Sequence, residues 1–162
     1  MDTNEIHVGM ADMEVSKSPN ILASLGIGSC VAVTLYDPYN KIGGFAHIML
    51  PDITVVKNKT NRKKFANTAC EDLLAKMLEA GAKRNLIKAK IVGGAHMFGF
   101  AKSSILFDIG KRNVDKVKEV LNELNIRILA EDTGGDHGRS VFFDLETGKI
   151  RVRSVAHGEK FI

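Results

Sequence analysis

Residues 26–30 read GIGSC and run directly into VAVTLYD, so one of the chain's two cysteines closes a glycine- and serine-containing turn at the mouth of an apolar run. Glycine relaxes the backbone, and successive main-chain N–H groups can then converge in front of the thiol. Cys30 in that place is either a small core hydrophobe or a nucleophile. A free thiol of pKa about 8.5 is mostly protonated at neutral pH, so nucleophilic work requires a base within reach. The candidate base is His47. Val31 to Tyr36 is rich in β-branched residues, DPYNK at 37–41 supplies a turn, and IGGFAHIML at 42–50 is a second apolar run. That is the strongest hairpin signal in the chain. An even loop centred between Pro38 and Tyr39 makes the numbers of opposed residues sum to 77, which sets Cys30 opposite His47. Cys30, Ala32 and Thr34 then share a face with Phe45, His47 and Met49, and a register moved by one residue would send His47 to the other face.

A cysteine and histidine so placed perform acyl transfer. The sulfur attacks a carbonyl carbon, N–H groups of the turn at Gly28, Ser29 and Cys30 hold the oxyanion, and His47 protonates an amine or ammonia leaving group. Water then releases the acyl group from the thioester. The same attack on a main-chain amide would make a cysteine protease. The residues alone also leave the plainer alternative open, because lone cysteines and strand histidines are both ordinary core residues.

The elements that must hold this pair are set by periodicity. Residues 4–16 alternate around Ile6, Val8 and Met10, and Ile21 to Leu25 is another short apolar piece, so both predict strands. Phe65, Ala69, Cys70, Leu73, Met77 and Leu78 recur at helical spacing between Lys63 and Ala80, with Gly81 placed as a C-cap. Lys90 to Gly94 predicts a strand. Val114, Val117, Leu121 and Leu124 mark a second helix, IRILAED at 126–132 a strand, and SVFFDL, ETGK and IRVRSV a closing hairpin. The expected fold is α+β, a layered sandwich with two main helices on mostly antiparallel sheet.

A chain of 162 residues with 44% hydrophobic content is expected to form a single domain over 1–162. A net charge of +4 lacks the density of a dedicated nucleic-acid binder. Two distant cysteines without CxxC spacing argue against a disulfide framework or zinc site and fit a reducing compartment. The acidic start MDTNEIHV is no secretory signal, and the uncharged stretch 18–36 is interrupted by Pro19, Asn20, Gly26 and Gly28. A cytoplasmic protein with no membrane insertion is expected.

Other constellations carry less. Cys70 lies on the apolar stripe of the first helix, a core position. His96 in GGAHMF reads as a structural or substrate-orienting loop residue. EDTGGDHGR at 131–139, with His137, has neither metal-ligand spacing nor the GK[ST] of a phosphate loop, and reads as a tight turn between strands. GIGSC fails GxGxxG at Val31, so no nucleotide is implied. His7 and His157 sit near the termini in polar context. KNKTNRKK at 57–64 reads as a solvated basic loop or an acid-recognising patch.

LGIGSCVAVTLYDPYNKIGGFAHIMLP, IVGGAHMF at 91–98, IGKRNVDKV at 109–117 and AEDTGGDHGRSVFFDLETGKIRVR at 130–153 together resemble the CheD family of chemoreceptor glutamine deamidases. The resemblance covers nearly the whole chain. It implies hydrolysis of glutamine side-chain amides in methyl-accepting chemotaxis receptors to glutamate, with no cofactor and no metal. It places the family nucleophile on Cys30, its histidine on His47, and its third position, usually threonine, on Ser24. A serine keeps the hydroxyl but has more rotamer freedom. The resemblance further implies a fold like the cytotoxic necrotizing factor catalytic domain and a partner, the phosphatase CheC. A member retaining the fold without useful catalysis would act as a binding module on CheC and receptors. Phe98 and Phe100 are candidates for a partner surface if exposed, although core packing suits both.

Overall fold

The hairpin strands β4 (Val31–Asp37) and β5 (Ile42–Ile48) are buried along nearly all of their length, and alternation divides their side chains between two cores. Val31, Val33, Leu35, Ala46 and Ile48 pack into one cluster with helical side chains. Cys30, Ala32 and Phe45 face the other way, into a cluster with Val8, Val141 and Phe143. A strand pair covered on both faces reads as continuous apolar runs, which is what 31–36 and 42–50 show.

That division sets the layers. The computed structural model describes residues 2–57, 61–97 and 108–162. Its other strands are β1 (Glu5–His7), β2 (Met13–Lys17), β3 (Ile21–Ile27), β6 (Lys88–Gly93), β7 (Ile128–Thr133), β8 (Arg139–Asp144), β9 (Ile150–Ser154) and β10 (Gly158–Phe161). The helices are α1 (Ala66–Glu79) and α2 (Ile109–Glu123). One five-stranded sheet has the order β2-β5-β4-β6-β7 and the other β1-β3-β8-β9-β10. The first lies between the two helices and the second sheet. Pairing is antiparallel except for β1 with β3 and β6 with β7. The expected α+β sandwich is therefore present, with two mixed sheets. The likeness to cytotoxic necrotizing factor rests on the sequence resemblance alone. Phe98 and Phe100 lie outside the described residues.

α1 buries Ala66, Ala69, Cys70, Leu73, Leu74 and Met77, the i, i+3, i+4, i+7 stripe of an amphipathic helix. It ends where Gly81 takes φ +104°. α2 turns Val114, Val117, Val120 and Leu121 inward, together with one polar residue, Asn113.

One expectation needs correction. Opposed residues of β4 and β5 sum to 79, not 77: Ala32 pairs with His47 and Val31 with Ile48. The loop is Pro38–Lys41, because Asp37 caps the turn. Its Oδ1 accepts from the Tyr39 and Asn40 N–H groups, and Lys41 comes next at φ +53°. A shift of two residues preserves parity, so Cys30 and His47 keep a common face while losing direct opposition.

Candidate active site

GIGSC is the crossover between the two sheets. β3 belongs to one and β4 to the other, and the chain changes layer at residues 28–30. The strand pairing of β3 with β8 slips between Ser24 and Ile27, where Gly26 takes φ +64° and donates its N–H to Ser140 Oγ at 3.2 Å. Such a bulge bends the strand and re-aims the residues beyond it. Cys30 therefore leaves one sheet and enters the other on the face between them.

His47 occupies the same inter-sheet face as Phe45, diagonal to Cys30. Diagonal neighbours in a ladder stand about 7–8 Å apart, with side chains closer. The His47 backbone is fixed from the β1–β2 connection: its N–H donates to Asp12 O at 3.0 Å and its carbonyl accepts from Ala11 N at 2.9 Å. Among the described residues, neither buried imidazole nitrogen has a well-formed hydrogen bond. The Val8 carbonyl is the polar group beside the ring and favours its protonated form. Ser24 donates its hydroxyl to that same carbonyl at 2.5 Å. All three predicted side chains thus gather between the sheets, and Ser24 meets His47 through Val8 rather than by a bond of its own.

The turn before the sulfur is ordered from behind. The Gly28 carbonyl accepts from Ala95 N at 3.0 Å and the Cys30 carbonyl from Gly94 N at 2.7 Å. The Ser29 carbonyl accepts from Asn113 Nδ2 at 3.0 Å. Among the described residues, the N–H groups of Gly28, Ser29 and Cys30 donate to no backbone carbonyl. The Cys30 amide stabilises its own sulfur as thiolate. Three carbonyls anchored on one side, with amides that donate to no carbonyl among the described residues, is the arrangement an oxyanion hole needs. Gly93 is small because of this anchoring: a Cβ there, at φ +122°, would stand 2.3 Å from the Cys30 carbonyl oxygen, whereas a Cβ on Gly94 would meet Val114 Cγ2 of α2 at 2.3 Å. A Cβ on Gly28 would meet Met97 Cγ at 3.0 Å, so the half-exposed Met97 side chain covers the turn.

Burial sets the charge state. Cys30 is 8% exposed and His47 5%. Desolvation pushes the Cys30 thiol up from its ordinary 9.0, more than its own amide lowers it. Desolvation likewise pushes the His47 imidazole down from 6.5, more than the Val8 carbonyl raises it. Both shifts favour the neutral forms, thiol and imidazole, over an ion pair at rest.

Residues 49–154 match a family model described as "CheD chemotactic sensory transduction". The chain belongs to the CheD family. A Clostridium botulinum protein named "Probable chemoreceptor glutamine deamidase CheD" is 49% identical over all 162 residues, covering 100% of both chains. A Clostridium novyi protein of the same name is 48% identical over the same span. One solved structure, the Neisseria meningitidis protein NMB0706, aligns with TM-score 0.49 and 11% identity over 82% of this chain and 64% of that one.

The remaining predicted residues of this CheD chain fall elsewhere. Cys70 is fully buried in the helical core, where desolvation pushes its thiol up to about 12. EDTGGDHGR closes β7 with Glu131, Asp132 and Thr133, turns over residues 134–138 and opens β8 at Arg139. It is also a brace for the site, since Gly134 N donates to Gly93 O at 3.0 Å and His96 N to Gly135 O at 2.8 Å. The His137 and His157 rings meet at a 52° tilt with centroids 4.1 Å apart. Arg62 pairs with Asp72 through two 2.9 Å bonds and Lys63 with Asp12 at 3.2 Å, so part of the basic loop is committed to acids of its own chain. No helix among the described residues is long and apolar enough to cross a membrane. Sequence reasoning missed Val8, Gly93, Gly94 and Asn113 as parts of the site's frame. The glycine pair and IGKRNV were visible as motifs, but only the three-dimensional contacts give them a role.

Proposed function

We propose that this CheD chain is a protein-glutamine deamidase acting on chemoreceptors, with Cys30 as nucleophile. The observation that carries the reading is the Cys30 turn, whose three amides donate to no backbone carbonyl among the described residues while His47 shares the sulfur's face. The names of the full-length relatives supply the substrate. In the neutral resting pair, proton transfer accompanies attack: the Cys30 S–H bond breaks to His47 as sulfur bonds the glutamine amide carbon. The amides of Gly28, Ser29 and Cys30 stabilise the oxyanion. Collapse breaks the C–N bond, and His47 returns the proton to departing ammonia. Water, deprotonated by His47, then cleaves the thioester to leave glutamate and the thiol. Ser24 orients the Val8 carbonyl, and that carbonyl stabilises the imidazolium formed in each step. The chemistry needs no cofactor.

The test is mass spectrometry of a chemoreceptor cytoplasmic fragment incubated with wild type or Cys30→Ala. An amide-to-acid mass gain with wild type and none with the variant is expected; a gain that persists in the variant removes Cys30 from the mechanism. The closed state of Cys30 and His47 favours one further reading, in which the chain acts by occupancy on the receptor or on a CheC-type phosphatase. Binding of either partner without any mass gain would be its signature.

A further inference from the structure

β4 and β5 cease to pair after Val31 and Ile48, one residue before the sulfur. Beyond that point the strands take different partners. The Cys30 carbonyl turns to Gly94 N, while the N–H groups of Met49 and Leu50 turn to the Lys64 carbonyl, at 2.9 and 3.1 Å. The hairpin is therefore open where Cys30 and His47 must be held in register. Asn113 spans the opening. Its Nδ2 donates to Ser29 O at 3.0 Å and to Met49 O at 2.9 Å, one residue before the cysteine and two after the histidine. The side chain is fully buried, and among the described residues its Oδ1 has no partner. Two carbonyl acceptors at one nitrogen fix which end of the amide faces them. An apolar residue here would spare the buried Oδ1 but leave the Ser29 and Met49 carbonyls without this donor, so the two donated bonds are what distinguish asparagine.

We infer that Asn113 is a positioning residue: by tying the Ser29 and Met49 carbonyls to one amide it fixes the separation of Cys30 from His47 and the orientation of the Ser29–Cys30 peptide. It touches neither substrate nor reacting atoms. The inference rests on the reading of Cys30 and His47 as nucleophile and base. α2, which carries Asn113, thereby becomes the element through which the helical layer sets the geometry between the sheets.

Asn113→Asp keeps the shape and removes both donors, and Asn113→Ala removes the side chain. Both are assayed for deamidation of a chemoreceptor cytoplasmic fragment and for iodoacetamide alkylation of Cys30 and Cys70, in wild-type and His47→Ala backgrounds. Cys70, fully buried in the other core, reports unfolding. The expected result is a kcat loss of about 100-fold with KM within about threefold, the size a misplacement of about 1 Å produces. Cys30 alkylation should also lose its dependence on His47, while Cys70 stays protected. Retention of kcat within about twofold in both variants, or loss of activity in proportion to Cys70 labelling, would overturn the inference, because the residue would then be dispensable or merely structural. Failure of the underlying reading looks different: Cys30→Ala would keep deamidating.

Discussion

Cys30 and Cys70 are the same residue type, both free and both buried, yet the chain treats them oppositely. Cys70 sits on the apolar stripe of α1 among Leu73, Leu74 and Met77, where the charge that acts on it among the described residues is a repelling Glu71. Cys30 sits where the chain changes sheets, beside amides that donate to no carbonyl among the described residues and on the face of His47. Burial alone therefore does not separate a structural thiol from a reactive one. What separates them is the neighbouring backbone: a helix consumes its own N–H groups, whereas a crossover turn anchored by its carbonyls leaves them available.

The largest test of that contrast is substitution of each in turn. Cys30→Ala should reduce receptor deamidation by several orders of magnitude, as loss of a nucleophile does, with little change in thermal stability. Cys70→Ala should leave kcat unchanged and lower the melting temperature by a few degrees, about 1 kcal/mol of lost packing. Equal activity of the two variants would end the distinction. Next in size is Gly93→Ala, which forces a Cβ to within 2.3 Å of the Cys30 carbonyl at a left-handed φ. A loss of about 3 kcal/mol or more in chemical denaturation is expected, because neither the strand nor the turn has room to move. If the variant does fold, its Cys30 should alkylate unlike wild type while Cys70 does not change.

Ser24→Ala should cost about tenfold in kcat, since the hydroxyl acts on the Val8 carbonyl and only through it on His47. Ser24→Thr keeps the bond and should retain wild-type rate. An alanine variant as fast as wild type would show that Val8 needs no anchoring.

Much of this was legible in the sequence because alternation has period two. Cys30 and His47 share a face whether their register sum is 77 or 79, so parity survived a misplaced turn; opposition did not, because the Asp37 side chain rather than Pro38 determines where the turn closes. The helices, both hairpins and the core position of Cys70 came from local pattern. The division into two sheets did not, since it depends on β3 and β4 parting at a bulge. Asn113 was invisible for a different reason: a single polar residue on an apolar helix face has no meaning until the two carbonyls it bridges, 84 and 64 residues distant in sequence, are brought to it.

The neutral resting pair gives a sharper form of the contrast. An ion pair would alkylate rapidly at mildly acidic pH. With the thiol pushed above 9.0 and the imidazole below 6.5, Cys30 should instead react slowly at pH 6 and accelerate only in alkaline solution, with Cys70 slower throughout. Deamidation, which needs neutral His47 and protonated Cys30, should hold a plateau from pH 6.5 to 9.0.

The smallest effects are in stability, and the two ends of the pH curve belong to different sites. His47 has a folded pKa below its unfolded 6.5, so the unfolded chain binds its proton first. Its contribution is complete above pH 6.5 and is lost as pH falls through that value toward the folded pKa. Cys70 runs the other way, from 9.0 unfolded to about 12 folded, so its contribution is complete below pH 9.0 and is lost as pH rises from there. Between 9.0 and 12 the slope from Cys70 approaches about 1.4 kcal/mol per pH unit. Denaturant midpoints measured across pH for His47→Asn and Cys70→Ala should therefore flatten opposite limbs: the acid limb in the first, the alkaline limb in the second. If Cys70→Ala left the alkaline limb as steep as wild type, the thiol of the helical core would not be the group that stays protonated there, and the Cys30 thiol and Tyr36 phenol, both also raised by burial, would carry that limb.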